Sequence, residues 1–442
     1  YNYDNRYFVE GNFGYNGSEN FSPNHRFGFF PSIAVGYVVS NEKFFAPIRD
    51  VVSMVKLKAS YGLVGNDQIG GDRRFIYNET VIGGGKYYFG TTPSQYTSVR
   101  LGEFPNPNVG WEKAKKFNLG ADLSFFNQLN ISVDYFKENR EGIFLQRKSI
   151  PMYVGLSTKP WVNIGKMRNS GIDASLEYHQ PLGKDLHLTV RGNFTYARNR
   201  IMDQDEPDYA YTYMNHSGQM QWQKFGLVAA GLFQDQEDID SWAKQSFGEV
   251  KPGDIKYLDL NGDGIVDNYD TKPIGYSDIP EIVYGFGFSL QWKAFDLSAF
   301  FQGVAHVSFS TLTDQTQAFV GRNLKESSVF ADLYGNTWTP ENPGAKYPRM
   351  TTGAIDNNNQ LSTFWMANGR YMRLKNLEIG YTLPKAWTSK AGIQSVRIYA
   401  QGQNLLTFDR LGDVDMDPEI KNGDGSWFPV QRVVNLGINM TF

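Results

Sequence analysis

Apolar and polar side chains alternate residue by residue through long segments of this chain, and no other feature constrains the fold as tightly. Successive side chains of a strand point to opposite faces, so a period of two sorts residues onto a dry face and a wet one. In 186–197, Leu186, Leu188, Val190, Phe194 and Tyr196 share one face; His187, Thr189, Arg191, Asn193 and Thr195 share the other. In 172–179, Ile172, Ala174, Leu176 and Tyr178 oppose Asp173, Ser175, Glu177 and His179. In 432–442, Val434, Leu436, Ile438, Met440 and Phe442 alternate with Asn435, Gly437, Asn439 and Thr441. The pattern recurs near 6–15, 27–39, 53–64, 117–126, 129–137, 282–292, 295–303, 371–383 and 393–404. It predicts about twelve strands, most of them about 9–13 residues long. Strands of soluble domains are commonly about 5–6 residues, whereas a tilted strand crossing a bilayer needs about 9–11.

The connections are sorted by length. Tight turns are expected at Asn127-Gln128, at 181–185 and at Lys293-Ala294, and long stretches at 65–116, 138–171, 198–281, 304–370 and 405–431. Short and long connections alternate from residue 53 onward. A transmembrane β-barrel does this, with tight turns on one side of the membrane and long loops on the other. A soluble sandwich has no reason to sort its connections by parity. Composition agrees. The chain of 442 residues carries 43 Lys+Arg against 46 Asp+Glu, which excludes a basic nucleic-acid-binding surface as its theme. The 26 Tyr, 32 Phe, 9 Trp and 45 Gly suit a β-rich protein with many exposed rings. There is no cysteine, so no disulfide framework, thiolate metal site or Cys nucleophile.

The phase slips once. In 371–383, Met372 and Leu374 have one parity, and Leu377, Ile379, Tyr381 and Leu383 the other. Either a β-bulge lies near Lys375-Asn376, or the strand begins only at Leu377. Phe442 ends the last strand with an aromatic on the apolar face, which outer-membrane barrels commonly show.

Five segments then read together: FFPSIAVGYVVSNEKFF at 29–45, VKLKASYGLVGN at 55–66, GDIKYLDLNGDGIVDNYD at 253–270, YMRLKNLEIGYTLP at 371–384 and VRIYAQGQNLLTF at 396–408. In this order they resemble the SusC/RagA class of TonB-dependent outer-membrane transporters, from about Phe8 to Phe442. The resemblance implies an all-β transmembrane antiparallel β-barrel in the outer membrane of a Gram-negative bacterium. Residues 1–442 would be the C-terminal portion, about twelve strands of a plugged barrel of about 22. An open sheet cannot stand in lipid, so the remaining strands, the plug and the TonB-contacting segment are expected elsewhere. The resemblance also implies import of oligosaccharides or peptides energised by the TonB complex, a SusD-like surface lipoprotein as partner, contact with outer-membrane lipid, and no enzymatic activity or nucleic acid.

One segment carries metal chemistry. Asp259, Asn261, Asp263 and Gly264 match the first six positions of an EF-hand loop, D-x-[DN]-x-[DN]-G. Asp259, Asn261, Asp263, the carbonyl of Ile265, Asp267 and Asp270 would give a Ca²⁺ ion the hard oxygens it takes. Asp270 stands where an EF-hand has Glu, a shorter arm. The plain alternative is a polar Asn-Gly/Asp-Gly turn with no ion. With no amphipathic helices flanking it, the loop reads as a staple in a long connection.

The other polar features are weaker. Asp413, Asp415 and Asp417 alternate, but Pro418 stands where the turn glycine belongs, so this reads as a solvated acidic loop. His25, His179, His187, His216 and His306 lack metal-ligand spacing; His179 and His187 fall on polar faces, as lumen-lining residues would. The run Gly83-Gly84-Gly85-Lys86 lacks the phosphate-loop spacing. Tyr209, Tyr211, Tyr213, Trp222 and Trp242 gather in one long connection, as ligand contacts or as loop packing. Two rival functions stay open: a soluble Ca²⁺-binding β-sandwich that binds carbohydrate or acts as an adhesin, and an outer-membrane barrel hydrolase. The hydrolase lacks a visible nucleophile–base pair.

Overall fold

The structure is a computed structural model. It describes residues 1–442 apart from 72, 157, 313–332, 352, 412–415 and 421–427, and apart from the side chain of 391. Asp413 and Asp415 lie outside the described residues. All twelve expected strands form: β1 (Tyr7–Gly17), β2 (Phe27–Val38), β3 (Val52–Asn66), β4 (Glu112–Phe125), β5 (Leu129–Gln146), β6 (Trp161–Pro181), β7 (Leu186–Asp203), β8 (Ile282–Trp292), β9 (Phe295–Ala305), β10 (Tyr371–Thr382), β11 (Ser395–Asp409) and β12 (Val433–Thr441). They pair antiparallel in strict chain order within one sheet, which also takes in the two-residue strand Asn2–Tyr3 beside β1. Tight reversals join β4 to β5 and β8 to β9, where Asn127 (φ 53°) and Lys293 (φ 54°) take the left-handed backbone that short hairpins need. No helix among the described residues is long and apolar enough to cross a membrane.

The alternation becomes two unlike faces. On one face Phe13, Ile33, Leu57, Phe194, Ile379 and Leu436 are all exposed. No second sheet covers them, because every other sheet among the described residues has only two strands. An apolar expanse of this size cannot face water, and a sandwich would have buried it. Leu188, Val190, Phe194, Leu436 and Ile438 have this parity; Thr189, Arg191, Asn193 and Asn439 have the other.

The phase slip is a bulge. β10 runs unbroken, and its register shifts against both neighbours. Phe300 pairs with Asn376 while Phe301 pairs with Leu374, so Lys375 is the extra residue. β11 answers with its own irregularity, pairing Leu406 with Leu374 and Gln403 with Asn376, and Asn404 turns left-handed (φ 54°). The strand therefore does not begin at Leu377.

Several strands outrun the sequence expectation. β5 and β7 have 18 residues each and β6 has 21, so the two long connections they flank are shorter than the alternation suggests. Past the apolar band, water wets both faces and alternation is no longer required. Ion pairs across the strands take over there, such as Lys115–Glu141 at 2.9 Å and Arg140–Glu112 at 2.6 Å.

At the long-loop end the chain builds two cores of its own. The β7–β8 and β9–β10 connections together bury Leu227, Ile255, Tyr257, Val266, Leu333, Tyr347 and Trp365. The connections after β1 and β3 bury Phe21, Ile69, Ile76 and Val109 against Trp111, Phe144 and Trp161.

Candidate functional site

The polar face of the sheet is lined with cross-strand ion pairs. Lys58 Nζ reaches Asp122 at 2.9 Å and Asp134 at 3.1 Å, and Ser132 Oγ donates to Asp122 at 2.7 Å. Glu177 takes Arg191 at 3.1 Å and His179 at 3.2 Å, and His179 Nδ1 lies 3.1 Å from Thr189 Oγ1. Arg397 is shared between Asp296 and Glu378. Neighbouring strands supply opposite charges at matched registers, so the wall's charges are paired, with one carboxylate in excess where Lys58 and Arg397 each meet two. Aromatic rings interrupt the polar face at several places, Phe136 and Tyr399 among them, and Phe300 is another. It lies over Gly285, where an added Cβ would sit 2.7 Å from the ring.

Near the long-loop end a buried cluster pins the last connection. Arg373 donates to Asp417 at 2.7 Å, to Glu419 at 3.0 Å and to Thr407 at 2.9 Å, and Tyr371 Oη donates to Glu419 at 2.7 Å. Asp417 thus departs from the solvated acidic loop expected of it. A guanidinium buried in the wall needs carboxylate partners, and Asp417 is one. A second clasp joins the β5–β6 and β7–β8 connections. Asp205 accepts from Arg147 Nε (3.0 Å), from the Lys148 and Ser149 N–H groups (2.6 and 3.1 Å) and from Ser149 Oγ (2.9 Å). Burial alone would raise its carboxyl, but these donors hold it below the usual range.

The 259–270 loop is wrapped by its own acidic side chains. Asp259 accepts the Gly262 and Gly264 N–H groups at 2.6 and 2.8 Å. Asn261 accepts from Asp263 N–H at 2.9 Å, Asp263 from Ile265 N–H at 2.8 Å, and Asp267 from Tyr269 N–H at 2.7 Å. Asp270 is fully buried and closes the loop, accepting Leu260, Asn261 and Asp267 N–H at 2.7, 3.3 and 2.8 Å. Among the described residues, no three acidic, His or Cys side chains converge as metal ligands would.

Most of the aromatic cluster is packing. Tyr211 stacks on Tyr213 at 5.4 Å, and Tyr213 Oη donates to the Tyr269 carbonyl at 2.7 Å. Burial and the nearby Asp270 carboxylate push that hydroxyl above its usual value. Tyr209 lies against His216 at 5.9 Å. Trp242 Nε1 donates to the Tyr257 carbonyl at 2.7 Å, and Lys256 Nζ sits 4.2 Å over its ring.

The sequence profile of the family described as TonB dependent receptor-like, beta-barrel matches residues 1–405. The chain belongs to that family. TonB-dependent receptor P3 of Formosa agariphila is 29% identical over 100% of this chain and 44% of its own length. TonB-dependent receptor SusC of Bacteroides thetaiotaomicron is 26% identical over 99% of the chain and 42% of its own length. The solved RagAB peptide transporter has the same fold over 100% of the chain and 46% of its own, with a TM-score of 0.74 at 22% identity. The chain therefore spans under half the length of these relatives. TonB-dependent receptors are outer-membrane proteins of Gram-negative bacteria and are not enzymes, so the soluble sandwich and the barrel hydrolase both fall. The SusC/RagA resemblance of the five sequence segments holds.

What sequence reasoning missed are the long-range clasps: Arg373 with Asp417 and Glu419, Arg198 with Glu281, and Asp254 with Arg349. Each joins elements too far apart in sequence for spacing to reveal.

Proposed function

We propose that this chain forms the C-terminal part of the wall of an active importer, energised through TonB, that takes up oligosaccharides or peptides with a SusD-like lipoprotein at its outer face. The observation that carries the reading is the pairing of a bare apolar face with an opposite face of ion-paired polar side chains. The first suits lipid, and the second suits a wet lumen that holds a polar plug and passes polar cargo. The SusC/RagA resemblance implies oligosaccharides as one candidate cargo, and the peptide transporter among the fold's neighbours makes peptides the other. The edge at Asn2–Tyr3 and β1 and the edge at β12 would be completed by strands from the rest of the protein, since lipid tolerates no open edge. The test is uptake of fluorescent oligosaccharide and peptide pools by cells expressing the intact protein, with and without TonB. Uptake of one pool that vanishes without TonB is expected. Equal uptake in both strains would contradict the reading.

We further propose that the 259–270 loop takes one structural Ca²⁺. The donor chemistry fits a hard cation, since every side-chain donor on offer is an oxygen. Asp259, Asn261, Asp263, Asp267 and the Ile265 carbonyl would hold the ion, with Asp270 clasping the loop around it. Calorimetry on the intact protein should give a Kd of about 10⁻⁴–10⁻³ M, as extracellular modules show, weakened in Asp263→Ala. An absence of Ca²⁺ heat at millimolar concentrations would sink the proposal.

A further inference from the structure

Trp222 does not behave like the other rings of its loop. It is 63% exposed, and its backbone is left-handed, with φ of +65°. Such a backbone is unfavourable for a bulky residue and persists only where neighbouring contacts impose it. Those contacts are present on both sides. The Gln221 N–H donates to Asn199 Oδ1 at 2.7 Å. Gln223 Nε2 donates to the Lys224, Ile274 and Gly275 carbonyls at 3.2, 3.0 and 3.2 Å. Gly218 N–H and the Gln219 carbonyl pair with Ile201 at 2.7 and 2.9 Å.

These bonds fix where the indole stands. The pairing of β7 with β8 ends at Tyr196 and Ile282, and 218–219 takes up the hydrogen bonds of β7 beyond that point. The segment therefore extends the wall at its long-loop rim. Asn199 has the parity of Arg191, Asn193 and Thr195, so it draws 221–222 toward the polar face. The result is an exposed indole at the mouth of the lumen, held by its neighbours. Tyr211, Tyr213, Tyr209 and Trp242 are engaged in rings or hydrogen bonds within the loop. Among the described residues, Trp222 enters none of the ring or cation contacts.

We propose that Trp222 is a stacking residue for an oligosaccharide entering the barrel mouth. This rests on the importer reading above and chooses between its two cargoes. The flat indole carries negative charge density on its faces, and the axial C–H groups of a pyranose present a weakly positive, apolar face of matching size. The stretch 218–223 carries no charge, and exposed Gln221 can reach ring hydroxyls with its amide. A peptide's termini and charged side chains find no counter-charge on this stretch.

The test uses the intact transporter in detergent, with wild type, Trp222→Ala and Trp222→Phe. The probes are an array of α- and β-glucan, mannan, galactan, xylan and polyuronate oligosaccharides, and a tryptic peptide pool. Wild type should bind at least one glycan class. Trp222→Ala should weaken that binding by about tenfold, the size expected for one aromatic contact, and Trp222→Phe should stay within about threefold. Should Trp222→Ala fail to fold, protection of tryptophan emission from iodide by the same glycan replaces it, read as the difference between wild type and Trp222→Phe because eight other tryptophans also emit. Undiminished glycan binding by Trp222→Ala, no iodide protection, or wild-type binding of peptides and no glycan would overturn the proposal. TonB-dependent uptake unaffected by Trp222→Ala would sink the stacking site alone. Glycan binding that depends on Trp222 without TonB-dependent uptake would sink the importer reading alone.

Discussion

Asp254 ties the β7–β8 connection to the β9–β10 connection, and removing its carboxylate should separate them. The side chain is fully buried, and Arg349 is only 20% exposed. Arg349 Nη2 donates to Asp254 at 3.0 Å, Asn358 Nδ2 at 2.9 Å and the Lys251 N–H at 2.8 Å. Asp254→Ala leaves a guanidinium and two donors without their acceptor. Removing one partner of a buried ion pair costs about 3–5 kcal/mol. Arg349 can turn part-way to water, which puts the cost nearer ~3 kcal/mol. The loop body's own hydrogen bonds are separate from the strand ladder, so the loop body should open while the strands stay paired. Hydrogen exchange reads this directly. The Leu227 N–H to Leu361 carbonyl bond at 2.9 Å and the short ladder between Ala229 and Tyr257 cross the loop body. Their protection should fall by about 10²-fold, with β7 and β8 unchanged. Arg349→Ala should fall similarly, and the double variant by much less than the sum, as contacting partners do. Protection within about threefold of wild type would refute the view that this pair holds the two connections as one body.

Two further outcomes follow from the faces and the loops. Ile438, 58% exposed on the apolar face, should cost about 2–4 kcal/mol when changed to Arg if it lies near the bilayer midplane. Asn439→Arg on the opposite face should cost under about 1 kcal/mol in the same folding titration of the intact transporter into lipid vesicles; equal costs would contradict the assignment of faces. Burial pushes His216 below its ordinary value of 6.5, against the pull of the Glu206 carboxylate and with the help of Lys148. The folded loop then binds the proton less readily than the unfolded one. Its contribution is complete above 6.5 and shrinks as pH falls through that value. Proteolysis near 204–219 should speed up between pH 7.5 and 5.5, and His216→Gln should flatten the dependence.

Strand order, face and pairing were legible because lipid demands strict alternation over every crossing, and chain-order hairpins need no long-range information. The break in phase between Leu374 and Leu377 was legible for the same reason, but only the pairing on both sides tells a bulge at Lys375 from a strand that starts at Leu377. The outer ends of β5, β6 and β7 were not, since water on both faces removes the alternation there. Nor were the clasps. Nothing near Arg373 in sequence announces Asp417, and nothing near Asp254 announces Arg349. Of the aromatic cluster, sequence showed the gathering of rings but not their roles, because Trp242 and Trp222 differ only in what the fold places around them.

The central claim is that the two sides of this sheet meet lipid and lumen, and β7 tests it most directly. The chain has no cysteine, so in the intact transporter, with any cysteine outside this chain replaced by serine, single cysteines at 188, 189, 190, 191, 193 and 194 can be labelled with a fluorophore without background. The labelled protein is then refolded into vesicles containing brominated lipid. Quenching should be strong at 188, 190 and 194 and weak at 189, 191 and 193. Uniform quenching along the strand, or the opposite alternation, would contradict the claim.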